Sequence, residues 1–465
     1  MDGLESLEWA KSEFSKAELG HADRNARAVS VAARMVQAPN LSIPRFCVDE
    51  KEIKAAYEFF ANEAFGHDEL LSGHVRKTAE RCSGLGEILV VQDTMSASFG
   101  GTRNRKGLGP VNDSAKAQGF LTHSALAISL QGATLGLLGQ LVWSRPSGPK
   151  PRYETAEQRR QRPRESQHWY QVQEQVARSL REFAAEVPRV IGVFDREGDV
   201  FEVFDRLDAL GHGFVIRATQ NRLLVGDDPE TPSYGLDEVR KASVITELSV
   251  EVPARPGQTK RTAKLEVRAV SVEVRPPKSA GRKGAPQRMN IVLVDEVQPP
   301  SKKQALCWYL LTTEPIATVQ DVLRVVDIYK LRWRIEELHM GLKTGCSLES
   351  RQLEQAHNLQ SFLAMASVVA VKLLQLRDLS RASEPVPATE VLNPVQIALL
   401  REVQPKLKAD CTAAEALRVV AQLGGFVGTN KGARPGWRSL WWGYMRLLEQ
   451  ENGYRLAMAT LAHSN

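Results

Sequence analysis

Residues 327–345 read DIYKLRWRIEELHMGLKTG and carry four chemically distinctive side chains at helical spacing. Tyr329, Arg332, Glu336 and Lys343 follow one another by three, four and seven residues. On an α-helix, which turns about 100° per residue, these positions lie within roughly 60° of one another. One helical face is therefore predicted to present a metal-binding carboxylate beside phosphate-binding groups, as cutting or joining a phosphodiester requires. An ordinary surface ion pair between Arg332 and Glu336 is the alternative interpretation.

Two apolar segments elsewhere in the chain each lead to an aspartate. GEILVVQDTMS predicts a buried strand at 88–91 that ends in Asp93, and PRVIGVFDREGD predicts a strand at 190–194 that ends in Asp195. Because ligand sites in α/β sheets lie beyond the carboxyl ends of strands, the two aspartates are expected to converge, with Glu336 as the third carboxylate. Either aspartate alone would more often be a turn former or a helix cap.

Three carboxylates favour hard divalent cations, Mg²⁺ first and Mn²⁺ as a substitute. Two such ions can serve the attacking and the leaving oxygen in a displacement at phosphorus. This chemistry needs charge stabilisation and positioning rather than a covalent nucleophile from the protein.

The composition is that of a soluble globular protein of two to four domains, with 465 residues, 43% hydrophobic and 25% charged. We find no run of 18 apolar residues, and the N-terminus is polar and acidic, which argues against a membrane span and a secretory signal. Five scattered cysteines without a C-x-x-C pair favour the reducing cytoplasm and argue against structural zinc. The net charge of +6 permits a polyanionic partner.

The order of predicted elements is typical of an α/β fold with a ribonuclease-H-like catalytic core. The elements are a strand at 88–91, a hairpin within 123–144, a helix at 166–187, a strand at 190–194, a helix at 199–211 and a strand at 212–219. Asp199 is expected to cap the second of these helices.

The rest of the chain is predicted to surround this core. Residues 226–310 are β-like and rich in Pro and Gly, which indicates an inserted β-subdomain, and one helix at 319–345 follows it. The prediction is a helical N-terminal domain at 1–70, a catalytic domain at 71–372 and a helical C-terminal domain at 373–465.

Basic residues cluster in three places: residues 144–164, residues 253–288, and Arg24 and Arg27 on one face of a helix that opens after Gly20. Each cluster is a candidate nucleic-acid contact. For any one of them a solvated surface is the alternative.

The order Tyr-x-x-Arg-x-x-x-Glu-x-x-x-x-x-x-Lys within 327–345 resembles the signature of bacterial DDE transposases of the insertion-sequence-four type, and most of all the transposon-five (insertion sequence fifty) branch. The likeness extends over most of the chain. It includes LEWAKSEFSKAELGHADRNARAVSVAA, VVQDT, VFDREGD, FVIRA, WYLLTTEP, RVVDIYKLRWRIEE and LGGFVGTNKGARPGWRSLW. The resemblance implies that Asp93, Asp195 and Glu336 form the metal-binding triad.

The resemblance also implies contacts with DNA. Tyr329, Arg332 and Lys343 would hold the backbone near the cleaved end, and Arg217 would support the DNA close to the active site. Trp308 would stack on a base that is flipped out while a DNA hairpin forms; a core aromatic in a strand is the alternative for this residue.

The family further implies cut-and-paste transposition of double-stranded DNA by a homodimer. Arg24 and Arg27 would contact the transposon ends, mainly through phosphates. The 3′-hydroxyl released by the first nick would attack the opposite strand and form a hairpin. After the hairpin is reopened, the 3′-hydroxyls of both transposon ends would attack target DNA. The C-terminal helices would form the dimer interface. The apolar candidates for this interface are Trp437, Trp441, Trp442, Tyr444 and Leu447, and ordinary core residues are the alternative interpretation.

The chain departs from the family pattern at three places. Met340 replaces a lysine, residues 401–412 lack a dense basic run, and the loop at 96–110 is richer in glycine. The main rival function is a catalytically inactive DNA-binding repressor derived from such an element. A stand-alone nuclease and a small-molecule phosphatase agree less well, because neither needs the flanking regions.

Overall fold

The computed structural model of the chain describes residues 3–100, 105–112, 117–146, 155, 164–226, 231–252, 259–277, 285–301, 305–381, 385–428 and 434–463. The helices before the last strand are α1 (Gly3–Phe14), α2 (Ala22–Gln37), α3 (Ile43–Phe46), α4 (Glu50–Phe60), α5 (His67–Cys82), α6 (His168–Phe183), α7 (Phe201–Leu210) and α8 (Gly235–Lys241). The later helices are α9 (Val319–Lys330), α10 (Trp333–Met340), α11 (Ala356–Leu379), α12 (Pro394–Val403), α13 (Ala413–Leu423) and α14 (Trp437–His463).

The strands form one mixed sheet. They are β1 (Glu87–Ser98), β2 (Gly109–Pro110), β3 (Gln118–Ile128), β4 (Thr134–Trp143), β5 (Arg189–Phe194), β6 (Gly213–Arg217), β7 (Thr246–Val252), β8 (Arg261–Val274), β9 (Gln287–Glu296) and β10 (Cys307–Thr312). Their order is β2-β3-β1-β5-β6-β10-β9-β8-β7, with β4 also paired to β3. The neighbours β1, β5 and β6 run parallel, and every other pair is antiparallel. The fold is therefore mixed α/β, with the predicted hairpin formed by β3 and β4.

Strand β1 is longer than the sequence predicts. Its parallel pairing with β5 stops at the pair Val91 and Val193, but its antiparallel pairing with β3 continues to Ser98. The prediction that a strand ends at Asp93 is therefore wrong: only one of the two ladders ends there. Asp195, in contrast, directly follows the last residue of β5.

The β-rich segment between β6 and β10 extends the central sheet. Strands β7, β8 and β9 form an antiparallel meander, and β9 pairs directly with β10. These strands thus continue the sheet that carries β1 and β5. Part of the basic stretch 253–288 and most of the basic stretch 144–164 lie outside the described residues.

Helix α11 is the central helix of the fold and contacts α2, α4, α5 and β4. By length and composition it could span a membrane, but 83% of its most apolar 18-residue window is buried inside the protein. Among the described residues it alone passes that test. Its apolar side chains therefore face neighbouring elements, as in the core helix of a soluble protein.

The helix predicted at 319–345 is divided into three parts. Helix α9 ends at Lys330, two turn residues follow, α10 begins at Trp333, and residues 341–345 form a π-helical turn. The prediction of one continuous helix is therefore wrong. The break falls at Leu331 and Arg332. Both residues keep right-handed helical dihedral angles, so the regular helical hydrogen bonds are interrupted but the chain does not reverse its direction.

A buried arginine is one of the contacts that attach the N-terminal helices to the core. The Arg351 guanidinium donates hydrogen bonds to the carbonyl oxygens of Pro39, at 2.7 Å, and Leu41. It also lies over the Phe362 ring, with 4.4 Å between the guanidinium carbon and the ring centroid. Because the loop after α2 is tied to the start of α11 in this way, the N-terminal helices pack against the core.

Candidate active site

The register of the parallel strands places Asp93 and Asp195 side by side. Val91 and Val193 are the last pair between β1 and β5, and each aspartate lies two residues further along its strand direction. Because side chains alternate along extended chains, both aspartates extend from the same face as these valines. Helix α10 packs on β1.

Helix α10 brings the third carboxylate to this place. Asp93 and Glu336 line one open cleft of about 470 Å³, together with Trp333, Lys343 and other residues of β1 and α10. The Arg332 guanidinium bonds to the Glu336 carboxylate, and its Nη1 lies 4.0 Å from Asp93 Oδ2. Arg332 therefore sits between two of the three predicted carboxylates.

Negative charge accumulates around Asp93. Burial raises the pKa of its carboxyl to about 7, and the negative charges of Asp195 and, to a smaller extent, Glu336 act in the same direction. The backbone N–H of Thr94 and the Arg332 guanidinium oppose this shift but do not cancel it. The three carboxylates are thus close enough to influence one another electrostatically.

The carboxylates fit a hard divalent cation in ligand type. Within the described ranges no three His, Cys, Asp or Glu side chains form a ready ligand set. Asp93 and Asp195 each accept a hydrogen bond from a nearby backbone N–H, at 2.7 and 2.8 Å, and Glu336 pairs with Arg332. Mg²⁺ and Mn²⁺ prefer carboxylate oxygens, and a bound cation would oppose both causes of the raised pKa of Asp93, which are first its burial and then the negative charges of Asp195 and Glu336.

Three further predicted residues meet beside the cleft. The rings of Trp308 and Tyr329 are in edge contact, with centroids 5.3 Å apart, and Arg217 Nη2 donates to the Cys307 carbonyl oxygen at 3.1 Å. Trp308 is only partly buried, so it is not a fully enclosed core residue. Tyr329 is 5% exposed, and burial raises its pKa despite the nearby Arg332 and Arg217.

The remaining predicted residues are more scattered. Lys343 lines the cleft, and its Nζ lies 3.7 Å from Glu349 Oε1. Arg24 and Arg27 are on α2 and do not line the cleft; Arg27 is exposed, whereas Arg24 donates to the Leu19 carbonyl oxygen at 2.9 Å.

Asp199 does not cap the helix that follows it. Its carboxylate is fully buried and accepts hydrogen bonds from the backbone of Thr219 and Gln220, at 2.7 and 2.9 Å, and from Arg222. The prediction of a helix cap is therefore wrong. Asp199 instead fixes the loop after β6, which begins next to Arg217.

Sequence reasoning missed several polar residues around Asp93. Trp333 lines the cleft and is 54% exposed, and Gln92, Thr94 and His123 form a hydrogen-bonded group beside Asp93. One signal was present in the sequence: Gln92 interrupts the apolar run of β1 at a position where alternation predicts a buried side chain.

Two known families match this chain. Residues 6–65 match the family described as transposase DNA-binding, and residues 153–371 match the transposase DDE domain. The first match contains Arg24 and Arg27; the second contains Asp195 and Glu336 and begins after Asp93. Together the matches support a DNA transposase, and the DDE domain implies a ribonuclease-H-like core.

Proposed function

We propose that this chain, which carries a transposase DNA-binding domain and a transposase DDE domain, is an active cut-and-paste transposase of the insertion-sequence-four type, in the transposon-five (insertion sequence fifty) branch. The observation that carries the proposal is that three carboxylates lie close enough to act on one another electrostatically, two of them in one cleft. Asp93 and Glu336 line the cleft, and Asp195, which lies two residues beyond the last β1–β5 pair, raises the pKa of Asp93 through its negative charge.

Asp93, Asp195 and Glu336 would hold Mg²⁺, with Mn²⁺ as a substitute. The bound ions, two in number, supply charge stabilisation to the attacking and leaving oxygens at phosphorus. Arg332 and Lys343 line or border the same cleft and would bind the DNA backbone through phosphate oxygens. No protein nucleophile is required, since phosphoryl transfer depends mostly on positioning and electrostatics.

The same cleft would serve four successive displacements. A water molecule nicks one strand at a transposon end, and the freed 3′-hydroxyl attacks the opposite strand to form a hairpin. A second water molecule reopens the hairpin, and the 3′-hydroxyl then attacks target DNA. In each step an oxygen of water or of a 3′-hydroxyl forms a bond to phosphorus while the 3′-oxygen of the broken phosphodiester leaves, so one arrangement of charged groups would serve all four steps.

The group formed by Arg217, Trp308 and Tyr329 would support the hairpin stage. The indole of Trp308 is partly exposed, so part of it would be available for stacking, and it is in edge contact with the Tyr329 ring. The Arg217 guanidinium and the Tyr329 hydroxyl would contact the DNA backbone next to the flipped base. Because any base has a flat face, such stacking needs no particular sequence.

The N-terminal domain would recognise the inverted-repeat ends. Arg27 is exposed on α2 and available for a phosphate, whereas Arg24 would have to exchange its bond to the Leu19 carbonyl oxygen for DNA. The enzyme would act on chromosomal DNA in the bacterial cytoplasm. The five cysteines, all free of disulfide bonds, agree with a reducing compartment.

The end of α14 would join two copies in the synaptic complex. Of the candidates predicted from sequence, Trp437, Trp441, Tyr444 and Leu447 are buried in the fold, so only the half-exposed Trp442 remains available. The last turns of α14 instead expose apolar side chains. These are Tyr454, Leu456, Met458 and Leu461, which are 45%, 71%, 50% and 60% exposed.

The test combines the full chain, Mg²⁺ and DNA carrying the element's own ends. We expect 3′-nicks followed by hairpin-ended products, and loss of both in the Asp93→Ala, Asp195→Ala and Glu336→Ala variants. Asp327→Asn is the matched control: this exposed carboxylate pairs with Lys330 on α9, so cleavage should be unchanged.

Two other results would each change the assignment. Cleavage that persists in all three alanine variants would show that the carboxylates are not the active site. A wild-type chain that binds the ends but cuts nothing, with Mg²⁺ or with Mn²⁺, would be the DNA-binding repressor.

A further inference from the structure

A chain of buried polar side chains lies behind Asp93. Gln92 and Thr94 flank Asp93 on β1, and alternation places both on the opposite face of the sheet. That face is covered by α6. Gln92 is completely buried in a strand whose other inward positions are apolar, so its amide requires hydrogen-bond partners.

The partners form one continuous path. Thr94 Oγ1 lies 2.8 Å from His123 Nδ1, and His123 Nε2 lies 3.0 Å from Gln92 Oε1. The Gln92 amide donates to Gln173 Oε1, and the Gln173 amide lies 2.7 Å from His212 Nδ1. Gln92, His123 and Gln173 have no exposed surface, whereas His212 is partly exposed.

Hydrogen-bonding capacity fixes the direction of this path. Gln92 Oε1 can only accept, so His123 carries its proton on Nε2, and Nδ1 accepts from the Thr94 hydroxyl. Burial lowers the pKa of His123 to about 3, which agrees with a neutral ring that has one donor and one acceptor. The Trp169 ring packs edge-on against His123, at 4.5 Å between centroids, and restricts its rotation.

Thr94 connects this path to the carboxylate. Its side chain is held by His123, and its backbone N–H donates to Asp93 Oδ1 at 2.7 Å. We propose that Thr94, His123 and Gln92 are positioning residues that orient the Asp93 carboxylate for binding a divalent cation. This proposal rests on the proposed function, because it assigns a role to Asp93 as a metal ligand.

The physical reason is that a buried network has few alternative arrangements. If one partner is removed, the remaining polar groups are left unsatisfied and must rearrange. Rearrangement at Thr94 would move the N–H that holds Asp93. Loss of an outer hydrogen-bond partner typically weakens metal binding about 10–100-fold.

The experiment measures Mn²⁺ binding by the full-length chain, from the electron paramagnetic resonance signal of the free ion. Thr94→Val keeps the shape of the side chain and removes its hydroxyl, so we expect binding to weaken about tenfold. Thr94→Ser restores the hydroxyl and should bind as the wild type does. Thr122→Val is the matched control on β3, because the buried Thr122 hydroxyl has no hydrogen-bond partner among the described residues.

The Asp93→Asn variant separates the two proposals. If Asp93→Asn binds Mn²⁺ as tightly as the wild type, the proposed metal site fails. If Asp93→Asn binds weakly but Thr94→Val binds normally, only the positioning role fails. Equal weakening by Thr122→Val would show that the effect is general loosening of the sheet and would also overturn the positioning role.

A pair of His123 variants decides the question if Thr94→Val does not fold. Asparagine places its oxygen near the position of Nδ1 and keeps the acceptor for Thr94, whereas glutamine reaches the position of Nε2. We expect His123→Gln, which loses the acceptor for Thr94, to bind Mn²⁺ about tenfold more weakly than the wild type, and His123→Asn, which loses only the donor to Gln92, to bind more tightly than His123→Gln. Equal binding by both variants would contradict the role of the Thr94 contact.

Discussion

Neighbouring residues of β1 have separate tasks because a strand alternates its faces. Asp93 extends toward the cleft beside Asp195 and Glu336, whereas Gln92 and Thr94 extend into the layer beneath α6. The carboxylate that would bind the cation and the side chains that would orient it are therefore one residue apart in sequence. A substitution of Asp93 would remove the carboxylate itself, whereas a substitution of Gln92 or Thr94 would change its orientation.

At the residue scale, Trp308→Ala should lower hairpin formation more than first-strand nicking. Stacking of a base on an aromatic side chain contributes about 1–3 kcal/mol, and only the hairpin stage requires a flipped base. The hairpin step should slow roughly 5- to 150-fold, while the nick forms at nearly the normal rate. Gel analysis of both products over time measures the two steps separately.

Trp308→Phe is the conservative control for this prediction. Phenylalanine keeps a flat ring at the edge of Tyr329, so most hairpin formation should remain. An equal loss of nicking and hairpin formation in Trp308→Ala would exclude the flipping role.

The sequence was most informative where the position of a residue follows from its own strand. A carboxylate directly after an apolar strand predicted the place of Asp195, and the structure has it there. Asp93 was predicted at the end of a strand, but β1 continues past it. The pairing of β1 with β5 stops before Asp93 while its pairing with β3 goes on, and this depends on the neighbouring strands rather than on the sequence of β1. Asp199 could not be predicted for a similar reason, since its partners Thr219, Gln220 and Arg222 lie about twenty residues away.

At the element scale, the contact between α1 and α5 is unusually close. A Cβ atom added at Gly73 would lie 2.5 Å from the Glu13 carbonyl oxygen and 3.0 Å from the Ala17 backbone nitrogen. Gly73→Ala should therefore lower the free energy of unfolding by about 1–3 kcal/mol, because backbone atoms would have to move apart. Urea denaturation measures the change.

Gly453→Ala is the matched control on α14. A Cβ atom there meets nothing within 4 Å, so alanine should stabilise the helix by about 0.5–1 kcal/mol. A Gly73→Ala variant as stable as the wild type would show that α1 can shift away from α5 without cost.

The same contact predicts a dependence of stability on pH. The buried Glu13 carboxylate lies 2.6 Å from His74 Nδ1 and also pairs with Arg81. Burial raises the pKa of Glu13, but the effects of His74 and Arg81 are larger together, and the net pKa is below the ordinary 4.5. Its stabilising contribution is therefore complete above pH 4.5 and is lost as the pH falls through the lowered pKa.

Glu13→Gln should remove this dependence. The variant should be less stable than the wild type at pH 7, and the difference should shrink as the pH falls to about 3. Urea denaturation at a series of pH values measures both proteins. A constant difference at every pH would show that the carboxylate does not contribute through its charge.

Elements were predictable where periodicity was regular and less so where it was interrupted. The hairpin of β3 and β4, the strand β5, and helix α7 with its glycine cap agree with the pattern. The break between α9 and α10 has no proline or glycine to reveal it. Arg332 occupies that break and reaches both Asp93 and Glu336, so tertiary contacts decide the local conformation.

At the scale of the whole molecule, the exposed end of α14 predicts a self-association surface. Tyr454, Met458 and Leu461 are spaced by four and three residues and share one face, whereas Leu456 lies on the opposite side. Met458→Asp should abolish the dimer that holds two DNA ends, since a charge would be buried in an apolar interface. Sedimentation of the protein with paired ends measures the assembly.

Leu456→Asp is the control on the other face of the same helix. Leu456 is more exposed to solvent than Met458, at 71% against 50%, and Leu456→Asp should leave the paired complex intact. If both variants assemble normally, the dimer interface lies elsewhere. If only Leu456→Asp prevents assembly, the opposite face is the interface.

The arrangement of the whole chain was the least predictable from sequence. Arg351 joins the N-terminal helices to the core through backbone carbonyl oxygens, a type of contact that leaves no pattern in the sequence. The β-rich segment was visible as β-like sequence, but its continuation of the central sheet depends on the pairing of β9 with β10.

The order in which the three carboxylates are synthesised has a consequence for the cell. Asp93, Asp195 and Glu336 come from distant parts of the chain, and the last of them lies on α10, after every strand of the sheet. During translation, the proposed cutting centre is therefore incomplete until α10 has left the ribosome and packed on β1. Arg351 and α11, against which the N-terminal helices pack, are synthesised later still. The proposed cutting centre and the packing of the N-terminal helices on the core are therefore completed by the same late part of the chain, so a product that ends before α11 would lack the packing partners of its N-terminal helices.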